Sequence, residues 1–177
     1  MALLTRGAIM NAFTAMLEEM PFDKITVTAL VRRAGVSSNT FYYHYEDIYA
    51  LLEAWLRQTL GVRGDGDWVE RTKHLLHVCQ DNPRVTYHVF DSLSRDLLER
   101  YVFSLTGDVF YQEICCRAAG RAVPEAYLRE ITDFCRYAYV GFVMQFLWER
   151  MEGDIDGRVE RLSTLFFHFV DSSLALD

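Results

Sequence analysis

The chain has 177 residues, enough for one domain or two small ones, and about half of them are apolar, which excludes a disordered chain. The formal net charge of -7 argues against a protein that coats nucleic acid without regard to sequence. It leaves room for a small DNA-reading module, because the distribution of charge matters more than its sum.

Residues 5 to 20 carry Ile9, Phe13, Met16, Leu17 and Met20 at helical spacing, and Pro21 stops the run. Thr26 reads as the N-cap of a short helix over 27 to 34, ended by Gly35. Ser37 reads as the cap of a second short helix over about 38 to 44, and Glu46 or Asp47 as the cap of a third that ends near Gly61. The segment GVRGDGD, 61 to 67, has three glycines and is the expected domain boundary, with domains over 1–60 and 67–177. Helical patterns come next at roughly 67 to 80, 84 to 93 and 95 to 118. Pro124 opens a long helix to about Met151, and a last helix runs from about 158 to 174. No run of strands intervenes, so the expected fold class is all-α with about nine helices, four before the glycine segment and about five after it.

The stretch from Thr26 to Tyr45, TVTALVRRAGVSSNTFYYHY, has the grammar of two helices joined by a tight turn. Val27, Leu30 and Val31 face inward, Ala34 permits close approach, Gly35 takes the left-handed turn and Val36 is a hydrophobic anchor beyond it. In the second helix Phe41 points inward with Tyr45 packed behind it. Ser38, Asn39, Tyr42 and Tyr43 are left on the outer face. Hydroxyl and amide groups there suit phosphate oxygens and base edges, and a helix N-terminus favours a phosphate.

On these residues the segment from Thr26 to Leu51 resembles the DNA-binding domain of the TetR/AcrR family of transcriptional regulators. The matching positions are Ala34, Gly35, Val36, Ser37, Thr40, Phe41, Tyr42, His44, Tyr45 and Leu51. The resemblance implies that Thr26 and Tyr42 contact phosphates, that Thr40 and His44 touch the DNA backbone, and that Ser38, Asn39 and Tyr43 face base edges. It also implies a small-molecule effector pocket among the middle helices and a homodimer formed through the two C-terminal helices, gripping a palindromic double-stranded operator. Two departures stand out: Asn39 replaces the family's frequent Gly, and Ile48 its common Lys. Arg6, Lys24, Arg32 and Arg33 face Glu18, Glu19, Asp23, Glu46 and Asp47 within the first 50 residues, so this half is not basic. That balance motivates an alternative, a protein-interaction or co-activator module that keeps the fold but has lost DNA binding.

In the C-terminal part most aromatic side chains are expected to fill a helical core. The apolar faces of 124–150, from Tyr127 through Phe134 to Trp148, and of 158–174, from Val159 through Leu165 to Leu174, are too wide for one neighbour and read as a partner surface. His74 and His77 stand at i, i+3, but zinc needs three or four ligands and nothing supplies the others, so no metal and no cofactor are expected. The chain carries no GxSxG, no Gly-rich phosphate loop and no HExxH, hence no enzymatic constellation. Four cysteines without regular spacing, no signal peptide and no run of about 18 to 20 apolar residues point to reduced thiols in a cytoplasmic protein with no membrane span.

Overall fold

Helical periodicity in the N-terminal run does form a helix, α1 (Ala2–Glu19), in a computed structural model that describes residues 2–60 and 68–175. The glycine segment 61–67, expected as a boundary, lies outside the described residues. α1 buries Ile9, Phe13, Met16 and Leu17 along one stripe. Pro21 comes next, and a 3-10 turn over Phe22–Lys24 drops Phe22 into the same core.

Three short helices succeed it, and each is started by the side chain before it. Thr26 Oγ1 accepts from Ala29 N at 3.2 Å and opens α2 (Val27–Ala34). Ser37 Oγ accepts from Thr40 N at 3.1 Å and opens α3 (Ser38–His44). Asp47 Oδ1 accepts from Ala50 N at 2.8 Å and opens α4 (Ile48–Thr59). Segments this short are marginal helices alone, so caps and tertiary packing hold them. Between α2 and α3, Gly35 sits at φ 68°, ψ 30°, and Val36 N donates back to Val31 O at 3.0 Å. The left-handed turn satisfies a terminal carbonyl and reverses the chain within two residues.

Two compact units result. One comprises residues 1–61 with 81–95, the other 62–80 with 96–177. The first unit thus gains α6 (Pro83–Phe90) in addition to α1–α4. Its core is aromatic: Phe13 meets Phe22 and Trp55 edge to face, with ring centroids 6.2 and 6.3 Å apart. Trp55 Nε1 donates to Thr14 Oγ1 at 2.9 Å, which satisfies the indole and ties α4 to α1.

The second unit consists of α5 (Trp68–Asp81, up to Gln80), α7 (Arg95–Arg117, from Asp96), α8 (Glu125–Trp148) and α9 (Ile155–Ser173). Trp68, Phe110 and Phe166 pack as a triangle with centroids 4.8 to 5.5 Å apart. α8 stops at Trp148, short of the expected Met151, because Arg150 and Met151 take left-handed conformations at φ 57° and 60°. α9 starts three residues earlier than expected. Asp154 caps it by accepting from Gly157 N at 3.0 Å, and a Cβ at Gly157 would run into that carboxylate. Among the described residues there are nine α-helices, one 3-10 helix and no strand, an all-α fold. No helix among them is long and apolar enough to cross a membrane.

Candidate nucleic-acid interface

α3 has seven residues and two unlike faces. Phe41 is fully buried, and Tyr45, just past the helix end, is 5% exposed with its ring 5.7 Å from that of Phe41. Arg6 Nε donates to the Tyr45 hydroxyl at 3.2 Å, so the buried phenol has its polar tip satisfied. The opposite face carries Ser38 and Tyr42 in one i, i+4 row and Asn39 and Tyr43 in the next. All four are exposed, Tyr42 at 57% and Tyr43 at 81%. The rings of this short stretch therefore split between a core and a surface as helical periodicity requires.

The remaining site candidates lie beside this face. Thr40 and His44 are half-buried, and His44 packs edge-on against Tyr43 with centroids 5.0 Å apart. Ser37 Oγ and Thr40 Oγ1 are 2.8 Å apart. Two hydroxyls in one bond use one hydrogen, so the other is left to donate outward. Thr26 is exposed and uses its oxygen as an acceptor for the cap, which likewise leaves its hydroxyl hydrogen for a phosphate oxygen.

Electrostatics here are sparing. Arg33 makes a bidentate pair with Glu19, at 2.5 and 2.6 Å, and its guanidinium holds that carboxyl below its ordinary value of 4.5. Lys24 stands 2.9 Å from Asp23. Arg32, exposed on the last turn of α2, has no side-chain partner among the described residues. Counting charges along the sequence treats the two adjacent arginines alike. Only the position of Glu19 on α1 separates them, and that depends on how α1 crosses α2. The acidic pair before α4 also divides: Asp47 is committed to the cap of α4, whereas Glu46 is exposed.

In the second unit a cavity of about 500 Å³ lies between α8 and α9, with Trp68 and Phe110 in its wall. Around its mouth Phe134 is 59% exposed and Leu165 69% exposed, although Phe134 stacks on Phe169 at 4.5 Å. Tyr137 and Trp148 also stand out from α8. The expected wide faces thus separate into buried positions, such as Ile131, Val159 and Val170, and a large exposed apolar set. His77 pairs with Asp156 at 3.0 Å, and no group of three or more His, Cys, Asp or Glu among the described residues is arranged to hold a metal ion. None of the four cysteines is in a disulfide.

Comparison with known proteins matches residues 9–55 to the bacterial regulatory proteins of the tetR family and residues 66–168 to a transcriptional regulator C-terminal region. No curated protein matches the chain. Among solved structures, the crystal structure of a TetR family transcription regulator from Marinobacter aquaeolei VT8 is similar, at 20% identity over 96% of this chain and 95% of that one, with a TM-score of 0.41.

Proposed function

The chain belongs to the TetR family of bacterial transcriptional regulators, and on that premise we propose that it acts as a homodimeric repressor on a palindromic operator in double-stranded DNA, under control of a small-molecule effector. Residues 1–60 carry operator binding in this reading, and 67–177 carry dimerisation and the effector. The observation that carries it is the outer face of α3, where Ser38, Asn39, Tyr42 and Tyr43 are exposed while Phe41 and Tyr45 anchor the helix.

One helix this short reaches few base pairs, and a two-fold pair doubles the contacts. The exposed apolar residues of α8 and α9, Phe134, Tyr137, Trp148 and Leu165, supply a surface for the second copy. With Arg33 and Lys24 neutralised by neighbours, sequence-independent affinity is low. Specific binding then rests on hydroxyl, amide and ring contacts, and with few cations on the phosphates its dependence on salt is shallow. Tyr42 and Thr26 hold phosphates, Thr40 and His44 lie against the backbone, and Ser38, Asn39 and Tyr43 meet base edges. An effector acts by changing the distance between the two reading helices, because half-sites are held together only when that distance matches a helical repeat of about 34 Å or a multiple.

The acidic pair that motivates a module without DNA binding has a structural use. Asp47 is the cap of α4, so its presence does not require that DNA binding was lost.

The test is selection of random duplex DNA by the purified chain. An enriched palindrome with half-sites about one or two helical turns apart supports the reading. Recovery of no sequence above background rejects it in favour of the protein-interaction module.

A further inference from the structure

The exposed side chains of α3 are Ser38, Asn39, Tyr42 and Tyr43. None carries a charge, and they differ in how well they can tell bases apart. A serine hydroxyl turns to give or take a hydrogen bond, so it suits several base edges. A tyrosine brings a ring edge and a rotatable hydroxyl, which are equally tolerant. Asn39 differs, because its amide fixes one acceptor and one donor side by side in a plane. That amide has no hydrogen-bond partner among the described residues. The nearby hydroxyls of Ser37 and Thr40 are bonded to each other and to the start of the helix instead.

Base edges in the major groove are unlike one another. Guanine shows two acceptors, cytosine a donor, and thymine an acceptor beside a methyl group. Adenine shows an acceptor, N7, beside a donor, its N6 amino group, and so matches a carboxamide with two bonds at once. Against guanine the amide oxygen would meet an acceptor. The side chains that suit guanine and cytosine, Arg or Lys and Asp or Glu, are missing from the exposed face of α3. Reach favours the same contact. The short side chains, Ser38 and Asn39, lie in the first turn of α3, and the long ones, Tyr42 and Tyr43, one turn on. A reading helix contacts base edges through its N-terminal residues, where short side chains let the backbone come close.

We infer that Asn39 reads an adenine in each half-site of the operator, through N7 and the N6 amino group. The inference rests on the operator-binding reading and names one base of the sequence that is bound. The family's frequent Gly at this position has no side chain, so the adenine contact belongs to this chain.

Parallel selections test it. Random duplex DNA is selected by the full chain, by Asn39→Ala and by Asn39→Asp, both changes at an exposed position that leave the core untouched. The parent is expected to fix an adenine in each half-site. Asn39→Ala should lose the preference at that position alone, and Asn39→Asp, which offers acceptors only, should move it to cytosine. The parent's operator is then made with 7-deazaadenine at each adenine of the half-site in turn, which keeps Watson–Crick pairing and removes N7. At one position the parent should bind about tenfold more weakly per half-site, and there Asn39→Ala should bind both duplexes alike. Should a variant bind no DNA, the parent's response to 7-deazaadenine decides alone. A palindrome that both variants select unchanged, or undiminished binding with 7-deazaadenine at every adenine, overturns the inference and leaves the operator reading standing. So does a G·C pair at the position that depends on Asn39. Selection of no sequence by the parent removes both.

Discussion

His88 Nδ1 lies 2.6 Å from the backbone carbonyl oxygen of Leu17. A carbonyl can only accept, so Nδ1 carries the proton and donates. Leu17 belongs to the last turn of α1, where carbonyls lack intrahelical partners, and His88 sits in the last turn of α6. One bond therefore closes an orphan group on α1 and holds α6 within the first unit. His88→Ala is expected to cost about 1–2 kcal/mol of stability. It should also speed amide exchange in α6 more than in α2 or α3. Urea unfolding and hydrogen exchange read the two effects, and an unchanged α6 would show that apolar packing alone holds that helix.

Packing and reading are separable on α3, since Phe41 and Tyr42 are neighbours in sequence and opposite in burial. Phe41→Ala empties a buried site and should cost about 3–5 kcal/mol, enough to unfold the head. Tyr42→Ala gives up an edge contact with Phe41, at 5.3 Å between centroids, and should cost less than about 1.5 kcal/mol. A gel shift on the selected operator should disappear in both variants, but circular dichroism should change only in the first and the dimer mass in neither. Retained DNA binding by Tyr42→Ala would remove this ring from the interface.

Ile48 occupies the first helical position after the Asp47 cap. Ile48→Lys places a cation where the family commonly has one. Operator binding should tighten, and the slope of log affinity against log salt should steepen by about one unit. Affinity measured at several salt concentrations checks this, and a slope equal to the parent's would put the start of α4 away from the DNA backbone.

Leu165 is among the most exposed large apolar side chains of the second unit, on α9. Leu165→Glu puts like charges near one another in a two-fold pair and removes apolar contact. Self-association should weaken on the order of a hundredfold. Operator affinity should fall with it, because one head cannot hold a palindrome. Sedimentation that still shows the parent's mass would place the contact between copies elsewhere.

Much of this protein is local and so is legible from the chain alone. Thr26, Ser37 and Asp47 cap helices through bonds to residues three positions on, Gly35 turns the chain at a single residue, and helical periodicity within FYYHY assigns rings to the inside or outside. Such interactions span about one helical turn, so the order of residues suffices to place them. Helix ends at 148 and 155 are less legible, because the left-handed conformations of Arg150 and Met151 depend on neighbours rather than on propensity. The pairing of Arg33 with Glu19, the docking of α6 on α1 through His88 and Leu17, and the burial of the Trp68 indole against Phe110 and Phe166 needed the tertiary structure. Each depends on where helices distant in sequence cross, and a crossing is set by the sum of many side-chain contacts, none of which is encoded at one position.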